Sequence, residues 1–298
     1  MNLNDPTKQA EIYRYLENLK KDEDGWKKSV QTIVANQANN PEEAFLLLQV
    51  LEDFLGKRYL HANPADHQII RNFFLHYIKQ YQSNAQEPPV YLVNKMAHLF
   101  SMAFAVDFPD KWSTFFNDLF FSQNLMDRKI VFFYLKVLLA IDAEVVDRDI
   151  QRSKIESDRN VKIKDAMRDI CINQIAQSWP TIMQSIEDDV IQCLVLDNIA
   201  SYIDWIELDL IANDTVMGLV IHRLSKPTTS ESATNAVCGL LQKGMHADKK
   251  VGLALTLVRV FRANNLLTIT DESDEDDITR VGSLVNTLGL VLLDVHQK

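Results

Sequence analysis

One stretch, NPEEAFLLLQVLEDFL at residues 40–55, decides the fold class. Asn40 is a favourable helix N-cap, Pro41 suits the first helical position, and the two glutamates that follow complement the positive end of a helix. The stretch therefore predicts a helix that begins near Pro41 and buries one face. That face is formed by apolar residues spaced three and four apart, namely Ala44, Leu47, Leu48, Leu51 and Leu55.

The same pattern recurs along the chain. A second Asn-Pro start at Asn63 precedes an apolar stripe from Ile70 to Tyr81, and the stretch from Ile130 to Ile141 is apolar almost all round. An all-round apolar helix is typical of one covered on several sides. With only 8 Gly and 8 Pro in 298 residues, the chain has too few breakers for an α/β nucleotide-binding enzyme or an all-β domain. The sequence predicts an all-α protein.

The helices are predicted to come in pairs. The first helices of successive pairs should begin near residues 8, 41, 88, 125, 187, 231 and 277. Helical hairpins with a period of about 40–47 residues are typical of HEAT and armadillo arrays. We therefore predict a HEAT-repeat α-solenoid of about six to seven helical hairpins; because the units share no obvious identity, an irregular helical domain remains the alternative. Two interruptions are predicted, a long loop near 147–160 and an acidic loop at 271–277.

Composition and motifs argue against several functional classes. The net charge of −10 disfavours a generic DNA or RNA binder, which would be basic. We find no P-loop, GxGxxG, GxSxG or HExxH motif, and Cys171, Cys193 and Cys238 are too far apart for a paired zinc ligand set. The longest uncharged stretch, 170–186, is too polar to span a bilayer. The sequence thus predicts no enzyme, catalytic residue, cofactor, metal, DNA partner or membrane contact.

An aromatic motif gives the first family resemblance. DFPDKWSTFF at 107–116 resembles the Pro-x-x-Trp-x-x-Phe-Phe signature of exportins in the importin-β superfamily. Pro109 is predicted to begin a helix, which Trp112, Phe115 and Phe116 would anchor to the helix before it. The motif therefore supports a prediction of the fold and does not indicate a catalytic or binding role.

Further segments are more specific. They resemble the tRNA exportin (exportin-T) family in their order and co-occurrence: VVDRDI at 145–150, ESDRN at 156–160, IKDAMR at 163–168 with the later Trp179, YIDWIELDLIAND at 202–214, and KGM at 243–245. The match runs from about residue 10 to the end of the chain. It implies the N-terminal portion of a longer arch, with importin-β N-terminal-like repeats over 1–85 and exportin-type repeats over 86–298.

The last helix fits this expectation of a portion. Val281 to Leu293 is predicted to be a buried helix, yet no partner for it follows in the sequence. A terminal repeat normally has a polar outer face. We therefore expect further repeats to cover the face formed by Leu284, Leu288, Val291 and Leu292.

The resemblance implies a function and a set of partners. It implies a nuclear export receptor that binds tRNA cooperatively with the GTPase Ran in its GTP form, passes through pores by contacting nuclear pore proteins, shuttles between nucleus and cytoplasm, and releases its cargo on GTP hydrolysis. Ran would contact the second helices of the first repeats, here roughly 23–37, 64–82 and 109–122. The polar candidates on these helices, each of which is alternatively part of a solvated face, are Lys27, Lys28, Gln68, Arg71 and Lys79.

A local excess of positive charge marks the candidate RNA contact. Between residues 148 and 168, seven basic residues outnumber four acidic ones in an otherwise acidic chain. Such a cluster is where phosphate would be held, although neutralisation by neighbouring acids, or contact with Ran or another repeat, is the alternative. The candidates are Arg148, Arg152, Lys154, Arg159, Lys162, Lys164 and Arg168.

Two other questions remain open from the sequence. The acidic run 271–277 is either a solvated loop or a contact for a basic surface of Ran. A karyopherin for protein cargo and a HEAT-repeat interaction scaffold are alternatives to the tRNA receptor.

Overall fold

The computed structural model describes residues 6–38, 40–123, 125–146, 151–270 and 273–297. Within these ranges the chain is helical and contains no strand, so the predicted all-α class is confirmed. The helices are α1 (Pro6–Lys21), α2 (Gly25–Val34), α3 (Pro41–Lys57), α4 (Pro64–Ser83), α5 (Val90–Asp107), α6 (Arg128–Ile141), α7 (Lys154–Ile170), α8 (Ile172–Ser185), α9 (Asp189–Tyr202), α10 (Asp214–Leu224), α11 (Pro227–Gln242), α12 (Ala247–Ala263) and α13 (Glu275–Gln297).

The chain divides into two compact units, Met1–Ala166 and Met167–Lys298. In the first unit α1, α3, α5 and α6 pack one against the next, with α2 packed against α4 beside them. In the second unit α9, α11 and α13 form the corresponding succession, and α8 packs against α10. Successive first helices are therefore neighbours, which is the stacking of a HEAT-like solenoid.

Side-chain caps explain why the helices begin where they do. Asn40 Oδ1 accepts a hydrogen bond from the Glu43 amide at 2.8 Å, and Asn63 Oδ1 accepts one from the Asp66 amide at 2.9 Å. In both helices a proline occupies the first turn, where its missing N–H costs nothing. Both starts predicted from Asn-Pro pairs are confirmed.

The first unit is built around aromatic side chains of α4, α5 and α6. The Phe100 ring stacks on Phe74 with a centroid separation of 3.9 Å and meets Phe133 edge-on at 5.1 Å. The stretch from Ile130 to Ile141 is buried on most of its surface, as predicted. Offset and edge-on ring pairs add to the stability that burial of their area already provides.

Cations from one repeat bind main-chain carbonyls of the neighbouring repeat throughout the chain. We call these contacts cation–carbonyl bonds. Each accepting carbonyl lies in the last turn of a helix or shortly after it, where carbonyls lack a partner within the helix. The two residues are 36 to 45 positions apart, close to one repeat. The pairs are Arg58–Asp22, Arg71–Lys111 and Lys129–Asn84 in the first unit, and Arg168–Trp205, Arg223–Met183 and Lys243–Ile206 in the second.

The prediction of a helix over 109–122 is wrong for the first half of that range. Residues 108–114 form turns in which the amides of Lys111 and Trp112 both donate to the Asp107 carbonyl, at 2.8 and 2.9 Å. A residue before proline is biased away from the helical conformation, and Phe108 is accordingly extended. Helical geometry resumes at Phe115 and continues as a π-helical turn, Asn117–Phe121. Trp112, Phe115 and Phe116 are nevertheless buried as anchors.

The two predicted loops are shorter than expected. Residues 147–150 and 271–272 lie outside the described residues, but α7 already begins at Lys154 and α13 at Glu275. Ser153 and Glu156 form a reciprocal capping box, with the Ser153 amide donating to Glu156 Oε2 at 2.8 Å. At α13, Asp274 caps the Asp277 amide, so the last acids of the run complement the helix dipole.

The face of the final helix that we expected to be uncovered is mostly buried within the chain. Leu284, Leu288 and Val291 are buried where α13 packs against α11 and α12, so this face already has its partner. Leu292, the fourth residue of that face, is 39% exposed. By length and composition α13 is the one described helix that is apolar enough to cross a membrane, and 28% of its apolar stretch is buried. Leu284 and Leu288 are buried, whereas Leu290 and Leu293 are exposed.

Candidate binding surfaces

The first candidate surface lies on α2 and α4, which pack side by side. Lys27 Nζ lies 3.0 Å from a carboxylate oxygen of Asp24 and 3.0 Å from one of Asp66. The hydrogen bond to Asp66, followed by that to Asp24, raises the pKa of Lys27 above its ordinary value. Lys27 therefore links α2 to α4, and its charge already has carboxylate partners.

The other candidates on this surface differ in how strongly they are engaged. Lys28 pairs with Asp22, and Gln68 donates to Asn72 Oδ1 at 2.9 Å within α4. Lys79 is exposed and has no hydrogen bond or ion pair within the described ranges. Of these, Lys79 offers its charge most directly to a partner.

Arg71 holds the turn that replaces the predicted third helix. Its Nη2 donates to the Lys111 carbonyl at 2.6 Å, and its guanidinium lies 4.7 Å from the centre of the Trp112 ring. A guanidinium over an indole face is stabilised by the ring quadrupole. We conclude that Arg71 positions the turn at 108–114, a role that the sequence did not indicate.

A buried polar network lies beneath this surface. The Tyr59 hydroxyl donates to Asp107 Oδ2 at 2.6 Å, and His67 Nδ1 lies 2.7 Å from Asp107 Oδ1. Asp107 is 1% exposed. Burial, followed by the Asp107 charge, raises the pKa of Tyr59 above its ordinary value. The network links the turn before α4, α4 itself and the end of α5.

His67 lies between Lys111 and Asp107. Lys111 Nζ lies 3.0 Å from His67 Nε2, and an ammonium group has protons to donate and no lone pair to accept with. Nε2 thus faces a donor, while Nδ1 lies beside the Asp107 carboxylate. Because both ring nitrogens are engaged, the network acts as a structural clamp. Sequence inspection missed it, since its members are far apart in the chain.

The second candidate surface is the basic segment at 148–168. Arg148 lies outside the described residues. Arg152 Nη2 donates to the Ala143 carbonyl at 2.5 Å, and Arg159 Nη2 lies 3.7 Å from Glu144 Oε1. Lys154 and Lys162 are exposed and form no hydrogen bond or ion pair with any residue that the structure describes.

The remaining members of the segment are also engaged within the protein. Lys164 is partly exposed and interacts with neighbouring groups. In the second unit Arg168 donates through Nε and Nη2 to the Trp205 carbonyl, at 3.2 and 3.0 Å. The described arginines of the segment thus follow the intramolecular alternative, and the two lysines carry its available charge.

The other side chains with possible chemistry are potential metal ligands and the three cysteines. Among them no group of three or more His, Cys, Asp or Glu side chains could hold a metal ion. The three cysteines are free, and burial raises the pKa of Cys171 to about 12, which leaves its thiol unreactive.

Stacked helix pairs with cations at the helix ends define an all-α solenoid of the HEAT-like class that exportins have. Residues 89–237, half of the chain, match the family model described as exportin 1-like protein, and the chain belongs to that family. The predicted resemblance to exportin-T is confirmed as well, since proteins of that name match nearly the whole chain.

The relatives include Exportin-T of Homo sapiens and of Danio rerio, each 31% identical over 281 residues, or 94% of this chain and 29% of the relative. Exportin-T of Dictyostelium discoideum is 29% identical over 249 residues, covering 84% of this chain and 22% of the relative. The chain therefore spans less than a third of the length of these relatives.

Proposed function

We propose that this chain belongs to a nuclear export receptor for tRNA, which binds tRNA together with Ran in the GTP form and releases it when GTP is hydrolysed in the cytoplasm. The observation that carries the proposal is the similarity to proteins named Exportin-T along 94% of the chain. A receptor of this kind shuttles between nucleus and cytoplasm, contacts nuclear pore proteins and has no catalytic activity of its own.

In this proposal the first repeats contact Ran and the later ones contact RNA. The importin-β N-terminal-like repeats at 1–85 would present Lys79 to Ran, whereas Lys27 and Lys28 would first have to exchange their carboxylate partners. Breaking the existing ion pairs would offset part of the binding free energy gained from the new contact with Ran. Lys154 and Lys162 on α7 are free to meet phosphate without breaking a bond that the structure shows.

Coupling between the two ligands follows from linkage. Two ligands that stabilise the same curvature of a helical array each favour binding of the other, because either one shifts the same equilibrium. A coupling free energy of about 1–3 kcal/mol would change the affinity for tRNA by about 5- to 150-fold when Ran-GTP is present. The same factor must apply to the affinity for Ran when tRNA is present.

The test is binding of Ran to the purified chain, in the GTP and GDP forms, with and without tRNA and at two salt concentrations. Selective binding of the GTP form that tRNA strengthens and salt weakens is the expected result. Equal binding of both nucleotide forms would refute the receptor function, and GTP selectivity without any tRNA effect would refute tRNA as the ligand of this part of the chain.

A matched pair of variants examines the RNA contact. Replacing Lys154 and Lys162 with glutamine should weaken tRNA binding and lower its salt dependence by about 1 to 2 in slope, because each phosphate contact contributes about 0.7–0.9. The control is Lys21→Gln, another exposed lysine with no partner among the described residues, which should leave tRNA binding unchanged. An effect of Lys21→Gln half as large as that of the double variant, and so equal per charge removed, would mean that the chain responds only to its net charge.

A further inference from the structure

Helix α12 presents an exposed basic face that the sequence analysis did not single out. Lys249, Arg259 and Arg262 are all exposed, while the opposite face is buried through Leu257 and Phe261. Asp248, at the N-terminal end, is the only acid in this helix. The face therefore carries a net positive charge.

These three cations have no partner in the described part of the chain. None of them forms a hydrogen bond, an ion pair or a ring contact there, in contrast to Arg168 and Lys243 of the same unit, whose side chains bind carbonyls. The contrast is not due to a lack of acids, because residues 167–298 contain 18 acidic and 10 basic residues. The α12 cations stay unneutralised in the more acidic part of the chain.

The cations form a row that winds partly around the exposed side of the helix, because at 3.6 residues per turn their directions span about 140°. Arg259 and Arg262 are one helical turn apart, and Lys249 lies ten residues before Arg259. With a rise of 1.5 Å per residue, the row is about 20 Å long. Arginine forms paired hydrogen bonds with phosphate, and lysine provides a point charge. A row of this length matches several phosphates along a nucleic-acid strand.

A glycine lies on the same face between these cations. Gly252 is exposed, and an added Cβ would meet nothing within 4 Å. Glycine destabilises a helix interior relative to alanine, so packing within the chain gives no reason for it. An uncovered backbone allows another chain to approach closely. Close approach is what a sugar–phosphate strand needs if it is to reach Lys249 and Arg259 together.

We infer that the exposed face of α12 is a contact site for the phosphate backbone of RNA, formed by Lys249, Arg259 and Arg262 around Gly252. The inference rests on the proposed function, which supplies tRNA as the RNA. It adds to that function a site outside the basic segment at 148–168.

The composition of the face favours RNA over an acidic protein. Protein interfaces usually have an apolar or aromatic core that carries most of the binding energy. Leu255, 48% exposed, is the one large apolar side chain of α12 that is classed as exposed. Charges spread over about 20 Å of a helix without such an anchor suit an extended polyanion that is read by its backbone.

The experiment measures tRNA binding to the full chain at a series of salt concentrations, in the presence of saturating Ran-GTP. The triple variant Lys249→Gln, Arg259→Gln, Arg262→Gln should lower the slope of log affinity against log salt by about 2, because each contact contributes about 0.7–0.9. Arg259→Lys with Arg262→Lys keeps the charges and should keep the slope. Gly252→Ala should raise the melting temperature of the chain and yet weaken tRNA binding.

The outcomes separate this site from the proposed function. If the wild-type chain binds tRNA and the triple variant binds it with the same affinity and slope, the α12 site is refuted and the function stands. If the triple variant instead loses affinity for Ran in the absence of RNA, the face belongs to a protein partner and the inference is also refuted. If the wild-type chain binds no tRNA, both fall together. Circular dichroism of each variant checks that the chain keeps its overall helix content.

Discussion

Replacing Asp107 should lower the stability of the first unit by more than the loss of one exposed carboxylate would. The side chain is 1% exposed, accepts a hydrogen bond from Tyr59 at 2.6 Å, and has its other carboxylate oxygen 2.7 Å from His67 Nδ1. Hydrogen bonds to charged groups contribute about 1.5–3 kcal/mol each, and removing an acceptor leaves buried donors unsatisfied. Asp107→Ala should therefore lower the free energy of unfolding by at least about 1.5–3 kcal/mol, the contribution of the Tyr59 hydrogen bond, and by more because the contact with His67 is lost as well; a typical domain has only about 5–15 kcal/mol in total.

Two further substitutions separate the contributions to the stability that is lost in Asp107→Ala. Tyr59→Phe removes one donor and should cost about 1.5–3 kcal/mol, while Asp107→Asn keeps the shape of the side chain and an acceptor oxygen and should cost less than Asp107→Ala. In a double-mutant cycle, Tyr59→Phe and Asp107→Ala should be coupled, since they remove the same hydrogen bond.

Urea unfolding followed by tryptophan fluorescence is the assay. Trp26 and Trp112 report on the first unit, and Trp179 and Trp205 on the second, so replacing either pair with phenylalanine isolates one signal. The transition of the first unit should move to lower urea, and that of the second should not. A loss below about 1 kcal/mol for Asp107→Ala, or additive effects of the two substitutions, would refute the clamp.

Three other predictions concern stability. A hydrogen bond from His98, 3.2 Å away, lowers the pKa of Glu52 from 4.5 to about 2, and Lys95 assists. The ionised Glu52 therefore stabilises the folded chain above pH 4.5, and this stabilisation is lost as the pH falls towards 2. Glu52→Gln should flatten the pH dependence of the urea midpoint in that window, and an unchanged dependence would contradict this. Ser153→Ala removes the capping box of α7 and should cost about 1 kcal/mol, measured as faster amide exchange in the first turn of α7, whereas Ser157→Ala should not affect that turn. Lys243→Met leaves the carbonyls of Ile203 and Ile206 without their 2.5 and 2.7 Å bonds, so amides at 203–213 should exchange faster than those of α11; equal protection in wild type and variant would show that Lys243 does not hold this turn.

Helix starts were predictable because their determinants are local. Asn40 and Asn63 lie next to the prolines and acids with which they act, so the sequence alone locates α3 and α4. The capping box of α7 was equally local, as Ser153 and Glu156 are three residues apart, but the surrounding charges favoured a loop. The turn at Pro109 was not predictable in the same way, because Arg71 on α4 holds it from 40 positions away.

The candidate surfaces were less predictable for the same reason. Polarity nominated Lys27, but only the structure places Asp66 beside it. Charge counting identified the segment at 148–168, yet it could not show that Arg152 and Arg168 are bonded to carbonyls. The i, i+3 pair Arg259 and Arg262 is visible in the sequence, but its lack of partners depends on contacts across repeats.

The cation–carbonyl bonds described above separate the stability of the solenoid from its affinity for a polyanion. Dissolved ions screen the attraction between two net charges, but a carbonyl is neutral and its bond with a guanidinium is short-ranged. A partner held through Lys79 or Arg259 can thus be released by ionic strength while bonds such as Arg58–Asp22 and Arg71–Lys111 persist. Salt elution should accordingly return a chain that is still folded and ready to bind again, so that release and rebinding need no refolding step.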